Sequence, residues 1–186
     1  MVGSFTTCSG EWPLTDADPG PLPRPSLRLT GVFVVVVVVG LVIGWIVRSG
    51  PAETADIGQP APDFTVELIE GGEFTLSESR GQAVVVNLWA SWCGPCREEI
   101  PDISAFAEAN PGVQVIGVAV RDTEQSSRQF AAEMSPSYPL AFGTQAVEDA
   151  YPNFGLPATY IIDESGMVTE IFNGIVDEGI LGAFFS

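Results

Sequence analysis

VVVNLWASWCGPCREEIP, residues 84–101, is the stretch on which the fold of this chain turns. Its first part, within AVVVNLW at 83–89, is nearly all apolar, as suits a central strand covered on both faces. A helix is expected from about Cys93 to Ala109, because Ile100, Ile103, Phe106 and Ala107 recur at helical spacing. Pro101 is expected to kink it. Upstream, Phe64–Leu68 alternates apolar and polar, Gly71-Gly72 turns the chain, and Phe74–Leu76 continues it as a hairpin. Ser77 is a candidate cap for a short helical turn ending near Gly81. Downstream, Val113–Val120 reads as a second buried strand, 124–134 as a helix, and 146–151 as a shorter one. Thr159–Ile162 and Val168–Phe172 flank a turn at Asp163–Gly166, a second hairpin, before a last helix over 177–185. Strands alternating with helices and closing on a hairpin make an α/β fold, a mixed sheet flanked by helices.

The chain has 186 residues, three Cys and no His. Ser-His-Asp and Cys-His catalysis, His-ligated metals and a histidine pH switch are thereby excluded. All seven basic residues are Arg, which removes Schiff-base and P-loop lysine chemistry as well. Against them stand 24 acids, for a net charge of -17 and a pI near 4.1. Such a chain repels phosphate backbones, so no nucleic-acid partner is expected.

Cys93-Gly-Pro-Cys96 is the chemical signal that remains. A C-x-x-C pair also makes half of many zinc sites, but no His or second cysteine pair is present to complete one. No metal and no cofactor are implied. The motif lies where a buried strand passes into a helix, and a helix N-terminus stabilises a thiolate. Pro95 at an early helix position lacks an N–H that would find no partner there. Cys96, one turn in, is placed to attack a mixed disulfide formed at Cys93. A purely structural disulfide is the poorer reading, because so short a loop constrains the unfolded chain little.

Between Arg28 and Arg48 runs LTGVFVVVVVVGLVIGWIV, residues 29–47, without a charge. As a helix rising 1.5 Å per residue it spans about 28 Å, near the thickness of a bilayer core. It is expected to be an uncleaved transmembrane signal anchor. Arg24 and Arg28 precede it and only Arg48 follows closely, which keeps the N-terminus in the cytoplasm and puts the rest outside. Residues 1–28 then form a Pro-rich disordered cytoplasmic tail, 48–57 a linker, and 58–186 the redox domain. Cys8, alone in the tail, reads as an inert thiol.

The stretch 84–101, with Ala61-Pro-Asp-Phe64 before it and FGLPATYIID at 154–163 after it, resembles thioredoxin-fold proteins of the membrane-anchored TlpA, ResA and CcmG type over roughly residues 58–185. The resemblance implies a thioredoxin-like fold and thiol–disulfide oxidoreductase activity, with Cys93 as exposed nucleophile and Cys96 as buried resolving thiol. Pro157 occupies the family's cis-proline, shielding the sulfurs, and the Leu156 backbone would pair with a bound peptide. Trp92 resembles the aromatic that shapes the substrate face, to which Gly94 and Pro95 also belong. Thioredoxins proper keep a buried Asp where this chain has Asn87, so that acid–base group is absent. ResA-like members implicate instead a glutamate three residues after the second cysteine, and Glu99 matches it. A solvated helix glutamate, like Glu98, is the alternative for that position.

Gly-Pro between the cysteines resembles the reducing thioredoxins, at about -270 mV. The expected activity is disulfide reduction outside the cytoplasm, with electrons from a membrane thiol carrier and protein disulfides as substrates. The resemblance points to apocytochrome c, in cytochrome c biogenesis. The rivals are a thiol oxidase, a peroxiredoxin, which lacks its Pro-x-x-x-Thr-x-x-Cys stretch here, and a Sco-like metal chaperone. That last family uses C-x-x-x-C and a distal His, neither of which this chain has.

Overall fold

The computed structural model describes residues 37–40 and 54–185. The first stretch belongs to one compact unit, the second to another. Residues 37–40 are helical, but the rest of the expected anchor, 29–47, lies outside the described residues, as does the tail 1–28. Among the described residues no helix is long and apolar enough to cross a membrane.

The second unit is built on a five-stranded sheet. A small hairpin, β1 (Thr65–Glu67) and β2 (Glu73–Thr75), precedes it. Then come β3 (Ala83–Trp89), helix α1 (Gly94–Ala109), β4 (Val113–Ala119), α2 (Glu124–Met134), β5 (Leu140–Phe142), α3 (Gln145–Ala150), β6 (Ala158–Ile162), β7 (Val168–Asn173) and α4 (Glu178–Gly182). Spatial order is β5-β4-β3-β6-β7, with β3, β4 and β5 parallel and β6 and β7 antiparallel to their neighbours. The mixed α/β sheet expected from the sequence is present, with β5 as an added edge strand.

Alternation along β3 sorts its side chains between two cores. Val84, Val86 and Leu88 enter the cluster with Phe64, Phe74, Tyr151 and Tyr160. Val85 and Trp89 enter the other, with Cys96, Ile100, Ile103 and Phe106 of α1 and Phe130 of α2. Asn87 shares the parity of Val85 and Trp89, so the strand aims an amide at α1. On β4, Gly117 is paired with Asn87 in register. A Cβ at Gly117 would run into the Leu140 side chain and lie 3.1 Å from the Trp89 indole nitrogen, so the close approach of those side chains requires glycine.

Two local expectations change. Ser77 caps nothing: it lies inside a 3-10 turn, Leu76–Ser79, and its N–H donates instead to Asp63 Oδ1 at 2.8 Å. The linker boundary at 57 also moves. Ala55 is fully buried and its N–H donates to the Ala150 carbonyl at 2.7 Å, so the folded domain reaches back at least that far. Helix α1 runs continuously from Gly94 to Ala109 with Pro101 inside it.

The four arginines of this domain are all tied to its structure. Arg80 donates to the Ser165 carbonyl, and Arg97 pairs with Glu133 while lying over Phe130. Arg128 donates to the Ile69 carbonyl and lies over Phe142. Arg121 pairs with Glu148.

Candidate active site

Cys93 is the N-cap of α1. Its backbone is extended, at φ -86° and ψ 107°, and its Sγ accepts the Cys96 N–H at 3.1 Å. The two cysteines form a disulfide in the first turn, with Pro95 among the earliest helical residues, where its missing N–H costs nothing. Cys93 was expected to be exposed; it keeps only 4 % exposure, against 0 % for Cys96. Trp89, Ala90 and Ile100 pack with the pair in one apolar cluster. Gly94 and Pro95 face solvent, and Trp92 is 61 % exposed.

The turn that leads from β3 into the motif is held from a distance. Asp122, just after β4, accepts the Ser91 N–H at 2.6 Å on Oδ2 and the Ser91 hydroxyl at 3.0 Å on Oδ1. The same carboxylate accepts the Thr123 N–H and the Ser127 hydroxyl, which anchors it to the start of α2. The Cys93 N–H in turn donates to the Ala90 carbonyl. Asp122 is a site residue that the sequence reading missed. Nothing local marks it, since its partner Ser91 lies 31 positions away.

Glu99 is fully buried, which overturns the solvated reading, while Glu98 beside it faces solvent. The cause is helical parity: Cys96, Glu99, Ile100, Ile103 and Phe106 make one buried stripe along α1. Extending the apolar stripe one turn toward the N-terminus would have included Glu99. Its carboxyl accepts from Asn87 Nδ2 at 2.7 Å on Oε1 and from the Val176 N–H at 3.1 Å on Oε2. Burial pushes this carboxyl up to about 7, and the two donors oppose that rise by stabilising the charged form.

Asn87 therefore belongs to the site as a donor to Glu99, a role that the resemblance does not assign to it. Its Nδ2 also donates to Thr159 Oγ1 at 3.0 Å, the residue paired with it on β6. Its Oδ1 is buried without a partner. With Glu99 ionised, Asn87 donates to it; with Glu99 protonated, rotating the amide would bring Oδ1 round to accept the new O–H. The buried Tyr138 hydroxyl has its pKa raised, by desolvation first and by the charge of Glu99 second.

The Leu156–Pro157 peptide bond is cis, as the resemblance implied. Pro157 is buried, and Leu156 packs against the cluster that holds both cysteines. Because β3 runs antiparallel to β6, the end of β3 and the start of β6 lie at one end of the sheet. That places the cis-proline loop beside the motif. A reactive disulfide, a buried carboxyl one turn further along the helix and a proline loop at the same sheet end are together suited to thiol–disulfide exchange.

Residues 57–171 match the AhpC/TSA family. The thiol-disulfide oxidoreductase ResA of Geobacillus kaustophilus is 34 % identical over 121 residues, 63 % of this chain and 70 % of that one. ResA of Bacillus subtilis is 29 % identical over 156 residues, 82 % of this chain and 87 % of that one. Among solved structures, a thiol:disulfide interchange protein of the thioredoxin family from Chlorobium tepidum superposes with a TM-score of 0.63 at 28 % identity, covering 69 % of this chain and 95 % of that one. The chain belongs to the AhpC/TSA family, and its thioredoxin-like domain is that of a thiol–disulfide oxidoreductase.

Proposed function

We propose that this oxidoreductase is a membrane-anchored disulfide reductase acting outside the cytoplasm, with apocytochrome c as substrate. The observation that carries the reductive chemistry is the pairing of the Cys93–Cys96 disulfide with the buried Glu99 carboxyl, held near neutrality one turn along α1. In the dithiol form the Cys93 thiolate attacks one sulfur of a substrate disulfide and expels the other as a thiolate. Glu99 takes the Cys96 proton, Cys96 attacks Cys93 Sγ, and the Cys93–Cys96 bond forms as the second substrate sulfur leaves. Two electrons pass to the substrate, and its thiolates take up two protons, one of them returned by Glu99. A membrane dithiol carrier restores the reduced pair by the same exchange in reverse.

The direction is supported by Gly94-Pro95 between the cysteines. The location is supported by the uncharged run 29–47 and by Arg24 and Arg28 on its N-terminal side. The substrate rests on the resemblance to the cytochrome-maturation type and on an acidic domain suited to a basic partner. The test uses an oxidised apocytochrome c peptide and a measured reduction potential. The wild-type dithiol is expected to reduce the peptide, Cys93→Ser to be inert, and Cys96→Ser to accumulate mixed disulfides visible by mass spectrometry. Turnover by Cys93→Ser would end the mechanism, and a potential above about -150 mV would make the protein an oxidant.

A further inference from the structure

Trp92 and Phe154 are 61 % and 100 % exposed. Single exposed hydrophobics are ordinary, but these two are linked. The link is Arg121, in the loop after β4, one of two non-glycine residues in the described chain with positive φ, at 54°. Its carbonyl accepts the Trp92 indole N–H at 3.0 Å. Its guanidinium donates to Asn153 Oδ1 at 2.6 Å, one residue before Phe154, and pairs with Glu148 at 2.9 Å. The loop between α3 and β6 is held on its other side by the Phe154 N–H, which donates to Asn173 Oδ1 at 3.2 Å. Ile175, 47 % exposed, follows closely on that segment, next to the Val176 N–H that holds Glu99.

The chain positions are informative. Trp92 immediately precedes Cys93, and Phe154 lies three residues before Pro157. Through Arg121 the loop that carries Phe154 and Pro157 is tied to Trp92, the residue before Cys93. Glu148 already neutralises Arg121, so that residue offers no free cation to an anionic small disulfide. We infer that Arg121 positions Trp92 and Phe154 as the two arms of an aromatic clamp, and that the clamp selects polypeptide disulfides carrying a large apolar side chain next to the cysteine. This inference rests on the reductase reading and names its substrate class.

The test uses the full chain in detergent, reduced with dithiothreitol and then freed of it. Two peptides, each closed by one internal disulfide, differ only in having Phe or Ser beside a cysteine. Single-turnover reduction is followed by acid quench over a range of peptide concentrations. The wild type is expected to half-saturate with the Phe peptide at about a tenfold lower concentration, the equivalent of partly burying one apolar side chain, with limiting rates equal for the two peptides. Phe154→Ser is expected to bring the ratio near one, and Phe154→Leu to retain most of it. Arg121→Gly keeps the carbonyl and accepts positive φ, removing only the guanidinium contacts; it too should bring the ratio down. Each ratio is internal to one variant, so a general loss of activity does not imitate the result. A wild-type ratio near one with both peptides reduced, or a full ratio in Phe154→Ser, overturns the clamp alone. Failure of the wild type to reduce either peptide or a small aromatic disulfide overturns the clamp and the reductase reading together.

Discussion

Replacing Glu99 by Gln removes one titrating group from the interior, and the structure says how stability should respond. Folding moves this carboxyl from 4.5 to about 7, chiefly by desolvation. Between those values the folded state binds a proton that the unfolded state has released, so Glu99 makes stability fall as pH rises. At about 1.4 kcal/mol per pH unit the loss is about 3 kcal/mol, complete by pH 8 and absent below pH 4.5. Glutamine cannot ionise, and the free Oδ1 of Asn87 is available to accept from its amide once Asn87 rotates. The assay is urea unfolding of the oxidised protein at pH 5 and pH 8, wild type beside Glu99→Gln. Other carboxylates contribute equally to both proteins, so the difference between the two pH profiles isolates Glu99. The variant should gain about 2–3 kcal/mol relative to wild type on going from pH 5 to pH 8. Parallel profiles would refute the claim that Glu99 titrates in the core.

Asn87→Ala takes away a donor to the ionised carboxylate, so the pH at which exchange accelerates should move up by about one unit, read from a pH–rate profile. Asp122→Ala frees the turn at Ser91 and should cost about 1–3 kcal/mol in urea unfolding while slowing exchange, since the motif loses its anchor. Gly117→Ala puts a Cβ against the Leu140 side chain and close to the Trp89 indole, and should cost about 1–3 kcal/mol by the same measurement.

What could be read from the chain alone was whatever local pattern encodes. The run from Ala83 to Trp89 has one environment on both faces, and its apolar composition says so without any partner being known. Helix α2 was legible to the residue, because Thr123 caps it and no competing contact shifts its ends. Strand β5 was not. Its three residues, Leu140–Phe142, become a strand by pairing with β4 at the sheet edge and through a bridge from Ala141 to Leu68. Ala55 was misassigned for a similar reason: its small polar neighbours look like a linker, while its burial depends on Ala150, far along the chain. In the site, the cysteines were legible from spacing and the cis-proline from resemblance. The burial of Glu99 is encoded in the apolar stripe of α1, but its pairing with Asn87 depends on β3 packing against that helix. Asp122 had no sequence signature at all.

The arginines have a consequence for how this surface can change. Each of the four in the redox domain grips a carbonyl or a carboxylate, and two also cover an aromatic ring. None can be lost as a simple adjustment of charge, because each loss also removes a structural contact. Exposed acids such as Glu70 and Glu98 carry no such duty in these contacts, so they are the positions where drift can act freely. Evolution or engineering can therefore raise or lower the domain's negative field cheaply by trading acids, while its few positive charges stay fixed by architecture.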